Sequence, residues 1–154
     1  MLPEFSFASP EYGWMLITVS FGEDTHSLDV SDATVDSLNL LATALLKLLT
    51  GSRREEVEWP LEPEWLSWHF EIHGDQLELQ ISSTGDPNSH FIVSAEKTAL
   101  ISQVAGGLRV LEKQPCWTQP PAGEVMWSWS FPGDTLHKVL RKLTNSRRQN
   151  LTVE

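Results

Sequence analysis

The stretch Trp68-His-Phe-Glu-Ile-His-Gly-Asp-Gln-Leu-Glu-Leu-Gln-Ile81 constrains this chain more than any other. It alternates apolar and polar residues on both sides of Gly74-Asp75, a pair suited to a two-residue hairpin turn. With that turn, His73 faces Gln76, Ile72 faces Leu77, Phe70 faces Leu79 and Trp68 faces Ile81. Every inward pair is then apolar on both strands. A slip of one residue would turn the whole apolar set toward water, so the register is tightly specified.

Two more segments read as strands before it. Residues 12–21 place Met15, Ile17, Val19 and Phe21 on one face, and Trp14, Leu16, Thr18 and Ser20 on the other. Gly22-Glu23-Asp24 reads as a turn, and residues 25–30 return with Leu28 and Val30 inward. A helix is expected over about 33–50, N-capped by Ser31 or Asp32 and ended by a left-handed Gly51. Its apolar stripe is wide enough for deep burial. After a charged loop at 52–56, Val57 and Trp59 suggest a short strand stopped by Pro60 and Pro63.

Beyond the hairpin, residues 89–95 suggest a third strand, and Ser94 is placed to cap a helix over about 95–113. Gly106-Gly107 interrupts that helix. Each glycine costs up to about 1 kcal/mol relative to alanine, so the pair either permits close packing against the sheet or kinks the helix. Residues 114–124 are a Pro-rich connection, 126–131 are expected to be extended with Trp127, Trp129 and Phe131 on one side, and Asp134 caps a last helix over about 134–145. The ends, 1–11 and 146–154, are expected to be flexible. The order is ββα(β)βββαα. Strands joined by hairpins make a mainly antiparallel sheet. A single α+β domain is expected, with five to six strands in one sheet and two to three helices on one face of it.

The net charge is −10, and it is uneven: residues 1–100 hold 17 acids against 4 bases, residues 101–154 hold 4 against 7. Such a balance disfavours nucleic acid and anionic lipid as ligands and suits a basic protein partner. Cys116 is the only cysteine, so no intrachain disulfide can form. The longest apolar stretch, 38–49, is about half a membrane span and contains Lys47. With no visible signal peptide, a cytoplasmic protein is expected.

The candidate site is the polar side of the hairpin: His69, Glu71, His73, Glu78 and Gln80. His69 and His73 are about 13 Å apart on one strand, too far to share a metal ion. Glu71 and Glu78 face each other with Cβ atoms about 5 Å apart. A close carboxylate pair can act as acid and base, but that chemistry requires a cleft. A solvated face and a partner-binding face are the other readings. The seven tryptophans raise a second candidate, an aromatic platform or pocket around Trp127 and Trp129, for a small ligand or an enzyme's substrate. Trp68 belongs to the core, and the rest are expected largely at the sheet margins. No Gly-x-Ser-x-Gly elbow and no phosphate-binding glycine loop is present, so no catalytic residue, metal or cofactor is assigned.

In layout, residues 57–81, the capped helix at 95–113 and the run Phe-Pro-Gly-Asp-Thr-Leu-His-Lys-Val-Leu-Arg-Lys-Leu at 131–143 resemble a set of small bacterial cytoplasmic proteins. Some of these look like immunity proteins of toxin systems. The resemblance implies an α+β protein that binds rather than catalyses. The expected partner is a basic protein, or a second copy of the chain in a homodimer.

Overall fold

The computed structural model describes residues 1–120 and 122–152. The fold is α+β, as the strand and helix order predicts. Among the described residues the strands are β1 (Glu4–Phe7), β2 (Trp14–Phe21), β3 (Asp24–Ser31), β4 (Arg54–Pro60), β5 (Trp65–His73), β6 (Gln76–Ser83) and β7 (Asp86–Glu96). The helices are α1 (Ser37–Leu49), α2 (Lys97–Glu112) and α3 (Gly133–Thr152), with a single 3-10 turn at Pro115–Trp117.

These strands form two antiparallel sheets, β1-β2-β3 and β4-β5-β6-β7, where one sheet of five to six strands was expected. The division falls at α1, because a helical connection leaves β3 and β4 free of any hairpin constraint. β1 also lies inside a segment expected to be flexible. It pairs with β2 from Glu4↔Ser20 to Phe7↔Ile17 and buries Phe5 and Phe7. At the other end α3 runs on through Asn145, where a stop was expected, to Thr152. Residues 153 and 154 of the expected tail lie outside the described residues.

The two sheets share one core. Phe5 and Phe7 reach from β1 to the Trp68 ring, with centroids 5.9 and 6.3 Å away. Trp59 and Phe70 pack on the same indole at 5.5 and 6.3 Å. Trp59, expected at a margin, is fully buried. α1 packs beside β4 and α3, and α2 beside β1, α3 and β7.

The caps differ from expectation for identifiable reasons. Ser31 Oγ accepts from the Ala33 N–H, and Asp32 holds residues 128 and 129, so Asp36 caps α1 by accepting from Asn39 N–H. Gly51, at φ +119°, turns the chain out of α1 as predicted, and the Ser52 N–H bonds the Lys47 carbonyl. Ser94 stays in β7; Glu96 caps α2 instead, accepting from the Thr98 and Ala99 N–H groups.

Candidate functional site

The hairpin at the centre of the site forms in the predicted register. Gly74 adopts φ +64°, and His73↔Gln76, Ile72↔Leu77, Phe70↔Leu79 and Trp68↔Ile81 are the partners. One face of the four-stranded sheet is therefore core: Val57, Trp59, Leu66, Trp68, Phe70, Leu77, Leu79, Ile81 and Val93 are all buried. The side chains of the opposite face stay exposed or half-exposed.

All five predicted hairpin residues lie on that outer face. His69 stands opposite Gln80, and Glu71 opposite Glu78. β4 supplies Arg54, Glu56 and Glu58 to the same face, across from Glu71, His69 and Ser67. β7 supplies His90, Ile92 and Ser94, across from Ser82, Gln80 and Glu78. Arg54 and Glu56 were missed because 52–56 reads as a charged loop, and Glu58 because the short strand expected at Val57 and Trp59 was not paired with the hairpin. The usable signal was the alternation Glu56-Val57-Glu58-Trp59, which continues a strand pattern.

Arg54 relieves the predicted carboxylate repulsion. Its Nη2 donates to Glu71 Oε1 at 3.1 Å. His69 lies between two acids, with Nδ1 3.0 Å from Glu56 Oε1 and Nε2 3.5 Å from Glu71 Oε2. Gln80 Nε2 is 3.0 Å from His90 Nδ1. Glu58 and Glu78 have no ionic or side-chain hydrogen-bond partner among the described residues. Five glutamates, counting Glu96 at the end of β7, share the face with the single cation Arg54.

The hydrogen bond from Arg54 holds the Glu71 carboxyl below its ordinary value of 4.5. Desolvation opposes the shift, and the charge of Arg54 with contributions from His69 and His73 adds to it. A depressed carboxylate contributes stability above its ordinary range and loses that contribution as pH falls through the lowered value. In a side-chain NMR titration, Glu71 titrates below 4.5, and Arg54→Ala moves its midpoint upward. A midpoint indifferent to Arg54→Ala would show that the ion pair does not form in solution.

Trp127 and Trp129 do not join this face. Residues 126–131 are irregular rather than extended, and they line a separate surface hollow of about 320 Å³ together with Cys116, Trp117 and Glu124. Trp127 is buried and packs into the core, while Trp129 is 36% exposed and its indole N–H donates to the Asp32 carbonyl at 2.9 Å. Glu124 accepts from the Tyr12 hydroxyl at 3.0 Å, and no histidine lines the hollow beside Cys116.

Among the described residues no group of three or more His, Cys, Asp or Glu is placed to hold a metal ion. No described helix is long and apolar enough to cross a membrane. Comparison with protein-family models, with curated proteins and with solved structures finds no match to this chain.

Proposed function

We propose that this chain is a non-enzymatic bacterial binding protein whose outer sheet face receives a basic protein partner. The observation that carries the reading is the charge of that face. Among the described residues Glu58 and Glu78 have no ionic or side-chain hydrogen-bond partner; they are flanked by Glu56 and Glu71, and Arg54 is the one Lys or Arg on the face. An acidic surface of this kind accelerates encounter with a cationic protein and disfavours acidic competitors. The histidines and carboxylates lie on an open face rather than in a cleft, which suits binding better than acid–base chemistry. An immunity-like role, covering the basic surface of a toxin domain, fits the same chemistry.

The test is affinity capture from native lysate at low salt, with the captured proteins identified by mass. The wild-type chain should retain a basic protein that the double variant Glu58→Lys/Glu78→Lys loses. Glu23→Lys, at the β2–β3 turn of the other sheet, should keep it. The association rate of the purified pair should fall at least about tenfold in the double variant and also fall steeply with added salt. A catch that is identical for the wild type and the double variant would refute the reading.

A further inference from the structure

In an antiparallel ladder, residues alternate between those that bond the neighbouring strand and those whose N–H and C=O point the other way. On β7 the phase is fixed by the Lys97 N–H, which donates to the Asp75 carbonyl at 2.9 Å in the register that continues Gln76↔Glu96. Counting back by twos, Ala95, Val93 and Phe91 bond β6. Ser94, Ile92 and His90 therefore turn their main-chain groups to the outer edge of the sheet.

The same counting can be checked on β4. The Ile72 N–H donates to the Arg53 carbonyl, so Arg54, Glu56 and Glu58 point to the opposite outer edge. There the Ser52 hydroxyl donates to the Arg54 carbonyl at 3.0 Å and the Ser37 hydroxyl to the Glu58 carbonyl at 2.6 Å. That edge is partly closed by side chains and by α1. In the three-stranded sheet the β1 edge is covered by α2, where the Phe5 carbonyl lies against Gly107, and the β3 edge carries Asp24 and Asp29.

On β7 such guards are confined to its ends, with Asp86, Pro87 and a break in the β6 ladder over 87–89 at one end and Glu96 at the other; residues 90–95 between them carry none. Among the described residues, His90, Ile92 and Ser94 make no main-chain hydrogen bond in that direction. Residues 88–95 contain no charged residue and no proline. Native sheets blunt free edges with lysine, proline or a covering element. Ile92 is 50% exposed at the middle of this open run, although its neighbours on the outer face are polar.

We infer that the β7 edge is a self-association site, where a second copy of this chain pairs its own β7 antiparallel about a two-fold axis at Ile92. This pairing sets Ile92 against Ile92 of the other copy and His90 against Ser94, within the regular part of the strand. No charged residue lies between 90 and 94 on either strand, and the edge-directed groups of His90, Ile92 and Ser94 exchange about six hydrogen bonds. The two Ile92 side chains cover one another, with Cβ atoms about 5.5 Å apart. Charge selects this occupant: the regular edge, residues 90–95, offers no counter-charge to an acidic or basic peptide, whereas it pairs with itself His90 to Ser94 and Ile92 to Ile92. The product is a continuous eight-stranded sheet.

Sedimentation and light scattering on the full chain test this. The wild type should show twice 17.4 kDa, dissociating on dilution, and its Ile92 and Ser94 amides should exchange slowly only in the dimer. Ile92→Lys should raise the dimer dissociation constant by about 100-fold or more while leaving the circular dichroism unchanged. Ile92→Pro is the second variant. It removes an edge-directed N–H and leaves the β6 bonds of Phe91 and Val93 in place. A wild type that is monomeric up to millimolar concentration overturns the inference, even if its β7 amides are protected by some other occupant. A dimer that survives both substitutions, or one whose Ile92 amide exchanges freely, overturns it as well.

Discussion

Trp68→Ala should lower the unfolding free energy by about 3–5 kcal/mol, among the largest effects of any single change in this chain. Trp68 is 1% exposed and touches four aromatic rings, from Phe5 and Phe7 in one sheet and Trp59 and Phe70 in the other. Its removal leaves a cavity where the two sheets meet. Domains have a total stability of about 5–15 kcal/mol, so the variant stands close to unfolding at ambient temperature. Trp68→Phe should cost markedly less. It keeps an aromatic ring against its neighbours and removes the indole N–H, which is buried without an acceptor. Urea denaturation of the three proteins measures both differences. Equal midpoints for wild type and Trp68→Ala would mean that the sheets do not meet at this indole.

Gly106→Ala and Gly107→Ala should act in opposite directions although the two positions are adjacent. A Cβ on Gly107 would lie 2.6 Å from the Phe5 carbonyl oxygen and 3.1 Å from the Phe7 ring. The backbone of β1 cannot swing aside as a flexible side chain would, so α2 and β1 must separate. We expect a net loss of about 1–3 kcal/mol after the gain in helix propensity. Gly106 is exposed, with nothing within 4 Å of its added Cβ, so alanine there stabilises by up to about 1 kcal/mol. Thermal denaturation of the two variants is sufficient. A shift of the same sign in both would show that α2 does not rest on β1 at this glycine.

Those glycines show how much of the fold was legible in the sequence. The pair signalled a close approach or a kink, and Gly107 makes the close approach. Nothing in the local pattern identified β1 as what it approaches. Phe5-Ser6-Phe7 does alternate, but three residues between Pro3 and Pro10 are too few to tell a strand from a loose end. The hairpin from Trp68 to Ile81 was readable to the residue because its apolar alternation admits one register. The partition into two sheets was not, since α1 transmits no pairing information from β3 to β4. The same contrast holds at the candidate site. His69, Glu71, His73, Glu78 and Gln80 share a face because strand periodicity requires it. Arg54, which reconciles Glu71 with Glu78, sits in a charged run whose composition concealed a strand. The separation of Trp127 and Trp129 from that face is a tertiary fact with no signature in local spacing.

The strict alternation along β5 and β6 has an evolutionary consequence. Trp68, Phe70, Leu77 and Leu79 answer to internal packing, while His69, Glu71, Glu78 and Gln80 stand on the solvent side. The two sets interleave in sequence but face away from each other across the sheet. Substitutions on the outer face can thus accumulate one position at a time without disturbing the packed layer beneath, and the packed layer can drift without altering that face.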